Sequence, residues 1–220
     1  GNSFGALQSG FAEETLTRFV KEIKDKRKSF LTELFKRIND SASAGWKNGN
    51  ACRIETLLWG GDEFMLVVPA WKGWETLQLF YEQSQNWDFT YSDKDGKQVI
   101  SKLTHSAGMV FCHHNAPIHR IKGIAHDLAE VCKNENIVGN KDNYFAYQIL
   151  ESFDHIAGDL GAYLSKISID NKIRPMILSG ITMKTIAESI EVIKNDPEFA
   201  RGRLHGIVKL YRTGKKEEAE

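Results

Sequence analysis

Residues 59–69 read WGGDEFMLVVP, two glycines and two carboxylates set between apolar runs. The patterning predicts strands over Arg53–Trp59 and Phe64–Pro69, with Gly60, Gly61, Asp62 and Glu63 at the tip of the hairpin they form. Paired glycines admit unusual φ values and let a large ligand approach the backbone. Successive N–H groups at such a turn can form a concave anion site. Adjacent carboxylates are hard oxygen ligands suited to Mg²⁺, which commonly binds through one or two acids plus substrate phosphates. A phosphate cradle beside metal ligands points to nucleotidyl transfer, in which metal ions stabilise the attacking and leaving oxygens. The alternative is a solvated turn whose acids confer only solubility.

Upstream, apolar residues Leu16, Phe19, Val20, Ile23, Phe30, Leu34 and Ile38 recur at helical spacing, predicting a helix over residues 11–39. SASAGWKNGN (residues 41–50) reads as a polar, glycine-rich loop. Downstream, residues 71–85 are amphipathic and helical, and residues 87–91 and 99–103 flank an Asp95-Gly96 hairpin signal. Residues 106–112 read as a buried strand, 113–117 as a loop, 118–133 as a helix and 144–150 as an edge strand. From about His155 the pattern is mostly helical, with breaks near Pro175 and Pro197 and a charged KKEEAE terminus.

The 29 basic and 29 acidic residues cancel, so no global field draws the chain to nucleic acid or to a membrane. No apolar run approaches the ~20 residues needed to span a bilayer, and we expect no signal peptide. Cys52, Cys112 and Cys132 are odd in number without CxxC spacing, which indicates free thiols in a reducing cytoplasm.

Residues 60–64, GGDEF, match the signature of the palm-type cyclase superfamily, which includes diguanylate cyclases and the palms of type III CRISPR effectors. SAGMVFCHHNAPI (residues 106–118) closely resembles the "SAGIVIAHHKAPL" pattern of the large polymerase-like subunit of those effectors. The stretch AHDLAEVCK (residues 125–133) resembles the superfamily's "ADxALYxAK" helix and sets Lys133 on its phosphate-contacting lysine. Arg53-Ile54-Glu55-Thr56 lacks the RxxD inhibitory site of many diguanylate cyclases, which favours the CRISPR-type reading. In these palms the first strand ends in an acidic metal ligand. Here Gly1-Asn2-Ser3-Phe4-Gly5 looks like that pattern entered one residue late, with Asn2 at the second acidic position. The expectation is a preceding segment that carries the first strand.

The resemblance covers about residues 1–150 and implies an α/β (α+β) fold. This is a ferredoxin-like palm sheet with flanking helices over residues 1–152, followed by a helical C-terminal region over residues 153–220. It further implies a Mg²⁺- or Mn²⁺-dependent cyclase that joins ATP into cyclic oligonucleotides in antiviral defence. Asp62 and Glu63 are then metal ligands and catalytic residues. Gly60, Gly61, Lys133, Asn2, Ser3 and Phe4 contact nucleotide or phosphate. One palm presents a half-site, so a homodimer or a second palm-bearing subunit is implied, as is a CRISPR ribonucleoprotein. The alternatives are a non-catalytic nucleotide-binding palm with a regulatory or scaffold role, and a diguanylate cyclase that uses GTP.

Other clusters carry weaker signals. His113, His114 and His119 with Cys112 invite a zinc reading, but adjacent histidines on extended backbone diverge and no second ligand cluster is evident. His105, His126, His155 and His205 are scattered and read as surface or hydrogen-bonded residues. Trp71 and Trp74 share a helical face and read as core. Lys21, Lys24, Lys26, Arg27, Lys28, Lys36 and Arg37, interrupted by acids, read as a solvated helix face or a docking face for a partner subunit.

Overall fold

A computed structural model describes residues 13–40, 45–60, 63–93, 95–138, 142–150, 158–167, 177–200, 202 and 206. Residues 1–184 and 185–220 form two compact units. The elements are α1 (Glu13–Asn39), β1 (Lys47–Asn48), β2 (Ala51–Cys52), β3 (Glu55–Trp59), β4 (Phe64–Val67), a short 3₁₀ turn (Ala70–Lys72), α2 (Gly73–Ser84), β5 (Asp88–Ser92) and β6 (Gln98–Lys102). They continue with β7 (Ser106–Phe111), α3 (Ile118–Val138), β8 (Tyr144–Ile149), α4 (Leu160–Ile167), β9 (Ile177–Ser179) and α5 (Thr182–Asn195). The α+β class expected from the sequence holds, with the described strands divided among small sheets.

The opening stretch forms the expected hairpin. β3 and β4 pair antiparallel, Trp59 opposite Phe64 and Thr56 opposite Leu66, with a register shift between Thr56 and Leu58. Phe64 anchors the ribbon: its ring lies 5.9 Å from Phe30 of α1 and 5.2 Å from Phe80 of α2. Such pairs are each worth about 0.5–1.5 kcal/mol beyond the area they bury. The buried stripe of α1 is Phe19, Ile23, Arg27, Phe30, Leu34 and Ile38. Lys21, Lys24, Lys28 and Lys36 are exposed as expected, but Arg27 is only 4 % exposed and belongs to the core face. Its spacing from Ile23 and Phe30 places it there whatever its charge.

β7 and β8 run parallel, joined by α3, and β9 adds antiparallel to the far side of β8. β8 is therefore central rather than the edge strand expected, because Ile177–Ser179 supplies a short partner from the mostly helical C-terminal stretch. α3 seats Ile124, Leu128 and Cys132 into a core with Ala146, Leu150, Leu160 and Tyr163. Gly108 on β7 makes that seating possible: a Cβ there would lie 2.0 Å from the Ala125 carbonyl oxygen.

β5 and β6 form the second expected hairpin, closed by Gly96 at φ +77°. Residues 45–50, the described part of the predicted polar loop, hold more structure than their composition suggests, since β1 pairs with β2 just beyond the loop and Trp46 is fully buried. Trp71 is 63 % exposed and does not share a core face with Trp74, because it sits in the 3₁₀ turn before α2 begins. It stacks instead with the Arg53 guanidinium, 5.6 Å from the ring centre. Trp74 is half-buried and packs against Phe111, Phe145 and Tyr147. Among the described residues, no helix is long and apolar enough to cross a membrane.

Candidate functional site

The β3–β4 turn is closed by the Gly60 N–H, which donates to the Glu63 carbonyl at 2.8 Å. Gly60 is not among the glycines with positive φ. Its lack of a side chain matters here through space, since a Cβ would stand 3.3 Å from the Glu63 carbonyl oxygen. Arg27 reaches across from α1, and its Nη1 donates to the carbonyls of Gly60 (2.9 Å) and Glu63 (3.2 Å). The guanidinium also lies over the Phe64 ring, 5.4 Å from its centre. Gly61 and Asp62, the other two residues of the predicted tip, lie outside the described residues, as do Asn2, Ser3 and Phe4.

Glu63 is exposed and meets the outer face of α3. His126, Glu130 and Lys133 recur at i, i+4 and i+7 and share a stripe of that helix. Ligand atoms of Glu63, His126 and Glu130 all lie within 4.8 Å of one another. Two carboxylates and an imidazole form a donor set suited to a divalent cation, the imidazole favouring Mn²⁺ or a later transition metal over Mg²⁺. Lys133 Nζ lies 2.7 Å from Glu130 Oε1. Its pKa is raised by that hydrogen bond first, and the Glu63 carboxylate adds to the shift. Glu130 is lowered in turn, mainly by the hydrogen bond from Lys133. Glu63, Glu130 and Lys133 are therefore in electrostatic contact, two acids with one cation.

His126 was unremarkable in the sequence, yet it stands in this cluster, its Nδ1 also 3.6 Å from Asp127 Oδ1. The only available signal was its spacing from Glu130 and Lys133. Of the two readings for His105, the hydrogen-bonded one holds: it has a side-chain hydrogen bond with Asn143 and is packed edge-on against Phe80 and Trp87, with ring centres 5.0 and 5.3 Å away. Burial lowers its pKa to about 4, and the Arg27 guanidinium pushes the same way. His155 and His205 lie outside the described residues. His113 and His114 do not diverge; the chain turns there, with the Ala116 N–H bonded to the His113 carbonyl, and the two rings lie 4.1 Å apart. Among the described residues these histidines join no three-ligand group.

The family model for Cas10/Cmr2, second palm domain, matches residues 1–144. No curated protein and no solved structure matches the chain. The matched span contains the β3–β4 hairpin, β7, α3 and every residue of the Glu63–His126–Glu130–Lys133 cluster, and it ends at the first residue of β8. With about two thirds of its length covered, the chain belongs to the Cas10/Cmr2 second palm domain family, the polymerase-like palm of type III CRISPR large subunits.

Proposed function

We propose that this palm is a metal-dependent nucleotidyltransferase that joins ATP into cyclic oligonucleotides, a second messenger of antiviral defence in the cytoplasm. The observation that carries the reading is the convergence of Glu63, from the hairpin turn, with His126, Glu130 and Lys133 on α3. A carboxylate-rich cluster beside a lysine is what a nucleoside triphosphate with its cation requires.

In this reading Asp62 and Glu63 hold Mg²⁺ or Mn²⁺, with His126 and Glu130 within reach of the same ion. A cation bound there would neutralise the phosphates and stabilise both the attacking and the leaving oxygen. Gly60 and Gly61 admit the triphosphate to the backbone, and Lys133 offsets its charge. Asn2, Ser3 and Phe4 line the nucleotide. The 3′-oxygen of one nucleotide bonds to the α-phosphorus of the next, and the α–β bridging bond breaks to release pyrophosphate. The hydroxyl proton passes to a carboxylate of the tip. Residues 1–152 act as the palm and residues 153–220 as its helical extension. Catalysis takes two palms, from a homodimer or a palm-bearing partner within a CRISPR ribonucleoprotein.

Incubation with ATP or GTP and Mg²⁺ or Mn²⁺, followed by mass spectrometry of the products, tests the proposal. Cyclic oligoadenylates and pyrophosphate are expected, and Asp62→Ala should abolish them while leaving the melting temperature unchanged or higher. A product from GTP alone would identify a diguanylate cyclase instead. Binding of ATP without turnover would identify a regulatory palm, the reading that Asn2 at an acidic position of the family favours.

A further inference from the structure

Arg27 occupies a core position of α1, with Ile23 and Phe30 as its neighbours in the buried stripe. An apolar residue there would fill the space without the desolvation cost of a buried cation. What the guanidinium does, and an apolar side chain could not, is donate to two carbonyls at once. Those carbonyls belong to Gly60 and Glu63, the two ends of the turn. The Glu63 carbonyl accepts from both Arg27 and the Gly60 N–H, so the cross-turn bond and the clamp share one oxygen. Both bonds come from one guanidinium nitrogen, Nη1, while the planar group packs on Phe64, the first residue of β4. Helix α1 thus fixes the backbone angle at which the Glu63 side chain leaves the turn toward His126 and Glu130.

We infer that Arg27 is a positioning residue: it locks the neck of the β3–β4 turn so that the Glu63 carboxylate is presented to the α3 cluster. Groups that orient a metal ligand from behind commonly change metal affinity by about 10–100-fold when removed. The metal-binding consequence rests on the function proposed above; the locking of the turn does not.

Two measurements on Arg27→Met and Arg27→Lys separate these. Met keeps most of the buried volume and removes the donors, whereas Lys keeps a charged donor but lacks the planar group that packs on Phe64. Amide hydrogen exchange should show the Gly60 N–H exchanging about 10-fold faster in Arg27→Met, with the Gly96 N–H of the β5–β6 turn unchanged as an internal control. Arg27→Lys should fall between wild type and Met. Mn²⁺ titration followed by electron paramagnetic resonance should show about 10-fold weaker binding in Arg27→Met. Uniform acceleration at both turns would mean a merely structural arginine, and unchanged Gly60 exchange would mean no clamp; either overturns the inference. If Arg27→Met does not fold, Arg27→Lys alone decides, on the same comparison of Gly60 with Gly96. Loosening confined to Gly60 in a protein whose wild type binds no Mn²⁺ would overturn the metal reading and leave the clamp standing.

Discussion

The turn that joins β5 to β6 and the turn that joins β3 to β4 each combine two acidic residues with glycine. At the first, Asp93 Oδ1 accepts the N–H groups of Asp95 (3.0 Å) and Lys97 (2.8 Å), and Gly96 takes the left-handed conformation. That turn is self-sufficient: its acid is consumed by its own backbone. At the second, closure comes from the Gly60–Glu63 backbone bond and from Arg27, a residue on another element. Among the described residues the Glu63 carboxylate bonds no backbone N–H, and it faces Glu130, His126 and Lys133. When a turn is held from outside, an acid such as Glu63 is left for other work.

The largest effect should come from breaking what the second turn faces. Gly108→Ala would set a methyl 2.0 Å from the Ala125 carbonyl oxygen and 2.8 Å from the Ala129 nitrogen, both backbone atoms of α3. Neither can swing aside, so α3 must lift from β7. We expect a loss of about 3 kcal/mol or more, read as a drop of roughly 6–12 °C in melting temperature for a chain of this size. The β5–β6 turn, closed by its own Asp93, should keep its local amide protection in whatever fraction stays folded. A wild-type melting temperature would mean that α3 is not seated as described.

Next in size is a pH effect on the side of the fold that carries the clamp. His105 stays neutral in the folded protein down to about pH 4, whereas in the unfolded chain it protonates near 6.5. Between those values the unfolded state binds more protons, so stability should fall as pH drops from about 6.5 to about 4 and then level off. The full difference is roughly 3 kcal/mol. His105→Phe keeps a ring between Phe80 and Trp87 and should remove this part of the slope in denaturant titrations at pH 7 and pH 5. Arg27→Met should reduce it, because the guanidinium contributes to holding His105 neutral. An unaltered slope in His105→Phe would assign the pH dependence to other groups.

Much of this arrangement was legible because it rests on local period. Alternating apolar residues around GGDEF located the hairpin, and the three-to-four spacing from Leu16 to Ile38 located α1. What escaped was set by partners distant in sequence. β8 looked like an edge because its second neighbour, β9, has only three residues, too few to show a strand pattern. Arg27 vanished into a run of lysines, although its place in the apolar stripe could have been counted out. Trp71 was misplaced because the 3₁₀ turn shifts the phase of the helix that follows. For the site, residue type singled out Glu63 and the resemblance of residues 125–133 to the palm helix singled out Lys133, but nothing in the chain order shows that Glu63 meets His126 and Glu130.

A direct test of the contrast between the two turns exchanges their acids for alanine one at a time. Asp93→Ala removes the acceptor of two backbone N–H groups and should cost about 1–2 kcal/mol, with faster exchange at Asp95 and Lys97. Glu63→Ala removes no such acceptor and should stay within about 0.5 kcal/mol of wild type, while Mn²⁺ binding is lost. Equal destabilisation by both changes would erase the distinction.

The smallest effect on stability, and the sharpest on ligand, should be that of Lys133→Ala. Its partner Glu130 has a side chain 40 % exposed, so the pair is a partly solvated i,i+3 bridge. Such bridges contribute about 0–1 kcal/mol, and the melting temperature should move by no more than about 3 °C. The lysine is nonetheless a positive group on which the Glu63 charge acts. Without it, the Glu63 and Glu130 carboxylates lose the charge of that lysine. A bare divalent ion should then bind as well or better, because Glu130 is freed and a competing charge is gone. A nucleoside triphosphate should bind several-fold more weakly, because its own negative charge now meets an acidic cleft without relief. Isothermal titration with Mn²⁺ alone and then with Mn²⁺·ATP separates the two. Opposite changes support a phosphate-facing lysine, whereas parallel weakening of both would mean that Lys133 serves only to hold Glu130 in place.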